Sequence, residues 1–546
     1  MNEKQRKKLN YFKDLYETSL TAYADSVSEM EKNMRQYLGS DEIDGSFERA
    51  VAVRNITYEI IESIVSSDVP MPKADPESYT DARERVARSI ERLCSSVRER
   101  LPFESMNDRD ERNTYVFGGS VWYVEWDEEL CTADEHGGVR VHSISPLDFI
   151  PQPDVYSVRD MDYCFIRTTA TRGALMRKYS LRDEDFASCE CEISDTGLDG
   201  SSYLVVIAFY KDECGEVGRL IFSGDKILAD TPRYYERRFD ADGKNPISHE
   251  IVELSEDGVK AAVPYYKPCG FPIVIRKNSG GESGLFGISD CAVIRPEQQA
   301  INKLESRILK KLILSGVTPV LPEDACVTTT NSVFGQLIRI KPGETLENYG
   351  KIDTTPDVSQ DIAAAERLYE HARRIVGISD ALVGLDGGKV ESGYAKELKI
   401  SRAQGRLESK RRLKYLAYSE LYRLIFEHYL AFADEPRRLS YKDECGRIKN
   451  TEFNRHSLIE SSECRGYHYF DGYMFSVDLN SGGEYQRETL WEHNLENLQS
   501  GTLGDKTSPS TLLRYWQSQE RASYPFAREN VEYFKSLVGR ESDGST

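Results

Sequence analysis

Histidine and cysteine, the residues that most often carry catalysis or metal binding, show no functional spacing in this chain. The eight histidines do not cluster, and His249-Glu250 lacks a second histidine four residues after the first, as a zinc hydrolase requires. The eleven cysteines are scattered, with no Cys-x-x-Cys pair, and the Gly-x-Ser-x-Gly motif of serine hydrolases is missing. We therefore expect reduced, mostly structural thiols, no catalytic residue and no metal.

Two glycine-rich segments approach nucleotide-binding patterns without matching them. Residues 387–390 (Gly-Gly-Lys-Val) lack the hydroxyl that binds magnesium in an ATPase loop. Gly281, Gly284 and Gly287 follow a predicted strand, but their spacing misses the dinucleotide pattern. No cofactor is therefore expected. Asp and Glu are abundant enough for a nuclease cluster, although a solvated acidic surface explains them more simply.

A predicted long helix, Ser392 to Phe432, is locally basic. It carries nine lysines and arginines against four glutamates in a chain of net charge −20. Arg402, Arg406 and Lys410 recur every four residues and therefore share one helix face. Two interpretations stay open for that face: pairing with acidic neighbours in the same or the next subunit, or contact with DNA phosphates.

Length and composition predict a large folded protein of several domains. The chain has 546 residues, 32 tyrosines and 20 phenylalanines, which exclude a wholly disordered polymer. No apolar run approaches the roughly 20 residues that span a bilayer, and the basic N-terminus lacks the apolar core of a signal peptide. We therefore expect no membrane association and a protein that stays in the cytoplasm where it is made.

Before residue 287, the periodicity of the sequence changes from helical to strand-like. Helices are predicted over 10–38, 54–65 and 81–100, with a proline-rich connector over 68–76. Strands are then predicted over 120–126, 139–144, 163–168, 204–210, 219–222, 226–229 and 272–276. Gly137-Gly138 is a plausible hairpin turn. Together with the later helices, this pattern indicates an α+β protein.

Two predicted helices, each with an apolar stripe along one face, flank a small β segment in the middle of the chain. The first stripe contains Ile301, Leu304, Ile308 and Leu312, and Pro296 either kinks this helix or marks its effective start. The second stripe includes Ile362 and Leu368. Since fewer than about forty residues rarely fold unaided, two interpretations stay open: an insertion on the side of one domain, or a projection that packs against neighbouring copies in a ring.

Short runs at the ends of these helices resemble the portal proteins of tailed bacteriophages. They are residues 287–290 (Gly-Ile-Ser-Asp), Gln298-Gln299, Asn302, residues 377–379 (Gly-Ile-Ser), Gly384 and residues 392–395 (Ser-Gly-Tyr-Ala). The resemblance covers most of the chain and lies in the order of elements. It implies a portal-type α+β fold with an α/β wing, a helical stem, a small β-containing clip and an α-helical crown. The negative charge argues against an ordinary sequence-reading DNA binder, but not against a DNA conduit.

On this resemblance the chain divides into seven segments. They are the N-terminal part of the wing (1–287), stem helix 1 (288–316), the clip (317–357), stem helix 2 (358–376), the tunnel loop (377–391), the long wing helix with the rest of the wing (392–482), and the crown (483–546). Segment 434–478 is expected to be irregular, with an edge strand near 475–478, and the crown is expected to be helical from residue 484.

The resemblance also implies roles for particular residues. The six stem residues, which would line and brace the channel, are Ile301, Leu304, Ile308, Leu312, Ile362 and Leu368. The tunnel-loop residues, expected to approach DNA on a loop freed by its glycines, are Gly377, Ile378, Ser379, Asp380, Leu382, Val383, Gly384 and Lys389. The clip residues expected to dock the motor are Glu323, Asp324, Arg339, Lys341, Glu344 and Glu347.

The implied function is structural. Portals form a ring, usually a dodecamer, at one capsid vertex, through which double-stranded DNA is packaged and ejected. The implied partners are sister subunits, double-stranded DNA, the terminase large subunit, the major capsid and scaffold proteins, and a head–tail adaptor. The implied location is the virion, after assembly in the host bacterial cytoplasm. The alternatives are another phage head–tail protein or a metal-dependent DNA-processing enzyme.

Overall fold

The chain is a mixture of helices and strands that forms two compact units. The computed structural model describes residues 3–40, 53–130, 135–193, 201–236, 248–254, 259–279, 284–313, 317–320, 330–332, 335–337, 350–353, 357–378, 393–442, 448–462, 466–477, 484–521, 524, 526–527, 529–531, 533–535 and 537. Unit 1 comprises Met1–Glu31, Val65–Ser289 and Leu407–Thr546, and unit 2 comprises Lys32–Ile64 and Asp290–Arg406. Helices α1 and α8 contribute residues to both units.

The described part of the chain contains ten α-helices of eight residues or more. They are α1 (Glu3–Leu38), α2 (Ile56–Ile64), α3 (Asp81–Arg100), α4 (Phe103–Phe117), α5 (Arg172–Tyr179), α6 (Asp290–Ile313), α7 (Ser359–Val376), α8 (Gly393–Phe432), α9 (Glu484–Gln499) and α10 (Pro509–Arg521).

The strands are mostly short and antiparallel. They are β1 (Pro72–Pro76), β2 (Gly119–Asp127), β3 (Gly138–Ile144), β4 (Phe149–Pro151), β5 (Tyr163–Thr171), β6 (Cys191–Ile193), β7 (Ser202–Lys211), β8 (Val217–Ser223), β9 (Lys226–Thr231), β10 (His249–Leu254), β11 (Val259–Pro264), β12 (Ile273–Lys277), β13 (Val317–Val320), β14 (Thr330–Ser332), β15 (Gly335–Leu337), β16 (Gly350–Asp353), β17 (Arg437–Lys442), β18 (Ile448–Phe453), β19 (Ile459–Ser462), β20 (Gly466–Tyr469) and β21 (Tyr473–Val477).

A six-stranded antiparallel sheet forms one core of unit 1. Its order is β4-β5-β7-β8-β9, with β6 paired to β7. Because side chains alternate across a strand, the sheet buries residues on two faces. One face packs Phe165 and Val206 against Leu9 and Phe12 of α1. The other face packs around Tyr203.

A smaller sheet of unit 1, in the order β12-β2-β3, packs against aromatic residues of α8. The ring centroids of Trp122 and Tyr418 lie 4.9 Å apart, and those of Trp126 and Tyr429 lie 5.4 Å apart, both with edge-to-face geometry. Leu421 and Ile425 are fully buried. The second half of α8 is therefore largely a core helix, which explains why its sequence is apolar on every side except the face that carries Leu416 and Glu420, which are exposed.

A buried charge cluster joins α4, β12 and α8 within unit 1. Arg276 Nη1 donates to Asp110 Oδ2 and to Glu111 Oε1, at 2.7 Å each, and Lys414 Nζ lies 3.0 Å from Glu111 Oε1. All four side chains are buried. Burial raises the pKa of Asp110, an effect that Arg276 opposes. Glu111 is also buried, but the charges of Arg276 and Lys414 outweigh burial and lower its pKa.

Several predictions of secondary structure are confirmed. The predicted helix over 81–100 coincides with α3, whose N-cap Thr80 accepts a hydrogen bond from Arg83 N. The predicted long helix from Ser392 corresponds to α8, and the strands predicted before residue 287 correspond to β2, β3, β5, β7, β8, β9 and β12. The helices α9 and α10 agree with the predicted helical C-terminal region.

Other predictions are wrong. Helix α4 was not predicted, because its many polar residues give no apolar stripe, and yet Asn107, Asp110 and Glu111 are buried. The proline-rich connector ends in β1, which pairs with β21. Segment 434–478 takes part in three antiparallel pairings and is not irregular.

The hairpin predicted around Gly137-Gly138 is confirmed, because β2 pairs antiparallel with β3 and Asp127 lies opposite Gly138. The two glycines do not form its whole turn, since residues 128–137 connect the strands. The edge strand expected near 475–478 is confirmed by β21.

Candidate functional site: the helix pair and its entry segment

The entry segment before α6 lies in unit 1 and is built on close backbone contacts. Gly118, the left-handed C-cap of α4, accepts hydrogen bonds at its carbonyl from Asn278 N (3.0 Å) and Gly287 N (2.9 Å). A Cβ on Gly287 would lie 2.4 Å from the Ser279 carbonyl oxygen. Ser289 Oγ donates to the Val116 carbonyl at 2.6 Å. These contacts explain physically why glycine and serine occur at 287 and 289.

Within unit 2, α6 and α7 pack as an antiparallel helix pair. Glu297 near the start of α6 lies 3.0 Å from His371 near the end of α7. At the opposite end, Lys311 of α6 pairs with Asp361 of α7, and this hydrogen bond lowers the pKa of Asp361. The segment 314–358 connects the two helices at that second end. We call this the distal end of the pair, and the end near residues 294–301 the proximal end.

The proximal end has an apolar core shared with α2. Ile56 and Ile60 of α2 pack with Ile294 and Ile301 of α6 and with Val376 of α7, and all five are buried. Fully burying an aliphatic side chain contributes about 1.5–3 kcal/mol. This end of the helix pair is therefore stabilised within a single chain.

A buried amide network crosses the same end. Gln298 Oε1 accepts hydrogen bonds from Thr57 N and Thr57 Oγ1, at 3.0 Å each. Gln298 Nε2 donates to the Arg54 carbonyl (2.7 Å) and to Asn302 Oδ1 (2.9 Å). Gln36 Nε2 donates to Thr57 Oγ1 at 2.9 Å. Since buried polar groups need hydrogen-bond partners, this network fixes the position in which α2 packs against α6.

A second set of contacts, around Arg54, fastens α2 to α7. Arg54 Nη1 lies 2.8 Å from Glu366 Oε1 and 3.8 Å from Glu305 Oε1, and its guanidinium carbon lies 5.1 Å from the Tyr369 ring centroid. The Tyr369 hydroxyl donates to Glu59, and burial together with this bond raises the pKa of Tyr369 to about 12. These contacts are partly exposed to solvent and therefore contribute less to stability than the buried network does.

Along the apolar stripe of α6, exposure rises towards the distal end of the pair. Ile301 is fully buried and Ile308 is 8% exposed, whereas Leu312 is 51% and Ile362 is 47% exposed. Leu304 and Leu368 are partly buried. The stripe of α6 is thus covered proximally and uncovered distally in the single chain. On α7, Ile362 is exposed at the distal end, and Ile375 near the proximal end is 39% exposed. Pro296 does not mark the helix start, since α6 begins at Asp290.

The first two predicted tunnel-loop residues cap α7. Gly377 has a φ of 93°, and its N–H donates to the carbonyls of Arg373 and Arg374. Ile378 N donates to the Arg373 carbonyl at 2.9 Å, which completes a Schellman motif, and its side chain joins the proximal core. Gly377 is therefore needed for a left-handed helix cap, and the role of the loop in approaching DNA stays a prediction.

The other predicted tunnel-loop and clip residues lie outside the described residues. They are Ser379, Asp380, Leu382, Val383, Gly384 and Lys389 of the loop, and Glu323, Asp324, Arg339, Lys341, Glu344 and Glu347 of the clip. The described backbone of segment 317–357 contains two hairpin-like pairings, β13 with β16 and β14 with β15. A β-containing segment between the two helices is thus confirmed.

The basic face of α8 is described only in part. Arg402 and Arg406 lie in the helix, but their side chains are outside the described residues. Lys410 is partly buried, with Nζ 5.3 Å from the Tyr115 ring centroid. Contact with acidic neighbours and contact with DNA phosphates both stay predictions.

The residues missed from the sequence are polar ones with distant partners. Gln36, Arg54 and Thr57 precede α6 by more than 200 residues, so no local pattern links them to Gln298. Among the described side chains, no group of three His, Cys, Asp or Glu residues is arranged to hold a metal. None of the helices in the described ranges has the length and apolarity to cross a bilayer.

Neither a protein-family model nor a curated protein matches this chain. The grounds for a functional proposal are therefore the resemblance seen in the sequence and the geometry of the helix pair.

Proposed function

We propose that this chain is a portal protein of a tailed bacteriophage, a ring subunit that forms the DNA channel at one capsid vertex. In that role the ring conducts double-stranded DNA during packaging and ejection. Its clip docks the terminase large subunit and later a head–tail adaptor, and its outer surface meets the major capsid and scaffold proteins. The work of translocation comes from ATP hydrolysis by the motor, so the chain itself is not an enzyme.

The observation that carries the proposal is the exposure of apolar side chains at the distal end of the helix pair. An antiparallel pair of helices is anchored proximally by the α2 core, and it carries a small β segment at its distal end. Leu312 and Ile362, which belong to the two apolar stripes, are about half exposed at that end. Large apolar side chains that are uncovered on a stable element are available to an interaction partner. Sister subunits in a ring supply that cover repeatedly, and a heterologous interface that closes forms a ring.

The charge balance of the pair is compatible with this role. At the distal end, Lys311 is neutralised by Asp361, and Arg307 Nη1 lies 3.8 Å from the same carboxylate. The chain as a whole has a net charge of −20. A channel in which DNA must slide needs a wall that holds phosphates weakly, because each neutralised phosphate strengthens binding.

The proposal is tested by imaging the purified full-length chain by negative stain and weighing it by native mass spectrometry. A Leu312→Lys/Ile362→Lys variant is expected to lose assembly while its thermal unfolding changes little, since both side chains are already half exposed. The matched control is Ile251→Lys/Met474→Lys, which alters two exposed apolar residues of strands in unit 1. A monomer at all salt concentrations that cleaves duplex DNA with Mg²⁺ would instead support the DNA-processing enzyme.

A further inference from the structure

Unit 1 contains a concave pocket that no part of the proposed channel uses. Its volume is about 740 Å³, within the range of about 300–1,000 Å³ typical of ligand sites. Its walls come from the ends of β7, β8 and β12, the segment 267–271 and the exposed edge of α8. Val217, Phe271, Val274 and Leu424 line it and are buried. The pocket therefore has an apolar floor.

The rim of the pocket has a positive excess. Five basic and three acidic residues line it. Two of the acids, Glu216 and Glu236, are neutralised by Arg233 and Lys267: Arg233 lies 3.2 Å from Glu216 and 2.9 Å from Glu236, and Lys267 pairs with both.

Three cations of the rim remain against one acid, Glu420. Arg159 is exposed, and Lys211 Nζ donates to the Arg159 carbonyl at 2.8 Å while lying 5.3 Å from the Phe271 ring centroid. Arg423 lies 3.7 Å from Glu427, which does not line the pocket. Because Glu427 partly neutralises Arg423, the positive excess of the rim comes from Arg159 and Lys211. In a chain of net charge −20, this local excess favours a negatively charged partner.

The pocket continues along one face of α8. Arg412, Leu416, Glu420 and Arg423 recur at three- or four-residue spacing and share that face. Leu416 is 64% exposed on a helix whose neighbouring positions Tyr415 and Ala417 are buried. From residue 412 to residue 424 the face extends about 18 Å at about 1.5 Å per residue. That length fits an extended segment of about six residues better than a compact small molecule.

We propose that this pocket and the adjoining face of α8 bind an acidic peptide segment of a partner protein, with aliphatic side chains on the apolar floor and carboxylates at the basic rim. The inference does not rest on the proposed channel, since every residue that carries it belongs to unit 1. Apolar anchors supply affinity in such interfaces, and rim charges supply orientation and association rate.

Two cysteines allow a direct test, because Cys214 and Cys269 are exposed and line the pocket. Cys191 is also exposed but does not line it, and Cys94 and Cys164 are buried. The full-length chain is alkylated with iodoacetamide, with or without a blocked peptide of alternating glutamate and leucine, and modification is measured at each cysteine by mass spectrometry. The peptide is expected to slow alkylation of Cys214 and Cys269 several-fold and to leave Cys191 unchanged.

Control peptides separate the two parts of the proposal. Replacing glutamate by lysine, or leucine by glycine, is expected to remove the protection. Raising the salt concentration from about 0.1 M to about 1 M, which shortens the Debye length from about 10 Å to about 3 Å, is expected to weaken it. Protection by the lysine peptide equal to that by the glutamate peptide overturns the proposal, and so does the absence of protection by any peptide.

Variants locate the site. Arg159→Glu/Lys211→Glu is expected to weaken the apparent affinity about tenfold, which corresponds to about 1.4 kcal/mol. Lys4→Glu/Arg6→Glu makes the same charge change at exposed positions of α1 and is expected to have no effect. Unreactive Cys94 and Cys164 verify that each variant is folded.

A second variant tests the site if the Arg159→Glu/Lys211→Glu variant does not fold. Arg412→Glu/Leu416→Ser changes only side chains that are already mostly exposed, so folding is expected to be retained while the peptide protects the pocket cysteines less. Undiminished protection in this variant and in a folded Arg159→Glu/Lys211→Glu variant contradicts the proposed site.

Discussion

Replacing Arg276 by methionine tests the buried charge cluster that ties α4 and β12 to α8. The substitution removes the guanidinium that lies 2.7 Å from both Asp110 and Glu111, and it leaves Lys414 as the one cation of the four-residue cluster. Breaking a buried ion pair by removing one partner typically costs about 3–5 kcal/mol, because the other charge stays buried. We expect the free energy of unfolding of unit 1 to fall by about that amount at pH 8.

The loss should depend on pH in a defined direction. Burial raises the pKa of Asp110, and the positive charge of Arg276 opposes that rise. When Arg276 is removed, the pKa of Asp110 is therefore raised further above its unfolded value. An acid with a raised folded pKa destabilises the protein at high pH, and this destabilisation is relieved as pH falls and the carboxylate takes up a proton. The difference in stability between the variant and the original chain should therefore be smaller at pH 5 than at pH 8.

The measurement is thermal and urea unfolding followed by tryptophan fluorescence, because Trp122 lies in the strand next to the cluster. The matched control is Arg140→Met in the same sheet. Arg140 pairs with Asp127 at 2.7 Å but is 46% exposed, and exposed pairs contribute at most about 1 kcal/mol. Equal small losses in both variants, or a loss at Arg276 that does not change with pH, would refute the reasoning.

Three further outcomes are expected, each measured by the shift in thermal unfolding. Gly287→Ala should destabilise by about 1–3 kcal/mol through overpacking, whereas Gly173→Ala, where no atom lies within 4 Å of the added Cβ, should not. Gln298→Leu should cost about 1–3 kcal/mol for each orphaned partner, and the exposed Gln299→Leu should cost little. Burial raises the pKa of Glu427 to about 7, so Glu427→Gln should stabilise by up to about 3 kcal/mol above pH 7 and by little at pH 5.

The helix pair was accessible to sequence reasoning because its residues obey a local rule. Ile301 and Ile308 recur at helical spacing, and both are buried where that spacing predicts. Gly377 ends α7 as a left-handed cap, as a glycine after the last apolar residue suggests. Periodicity does not reveal, however, which part of a stripe stays uncovered, and so the exposure of Leu312 and Ile362 is known only from the structure.

Helix α4 and strand β1 were missed for a different physical reason. Asp110 and Glu111 resemble surface residues in a local pattern, but their partner Arg276 lies more than 160 residues later in the chain. Strand β1 contains two prolines and is completed by β21, about 400 residues away. Elements that are stabilised by distant partners carry little local evidence of their structure, and this also applies to Gln298 and Thr57.

The most direct test of the proposed function is the mass and shape of the purified full-length chain. A portal subunit should form closed rings with a central hole wide enough for duplex DNA. The Leu312→Lys/Ile362→Lys variant should instead remain as monomers of 62.2 kDa. A chain that remains a 62.2 kDa monomer across protein and salt concentrations would contradict the proposal.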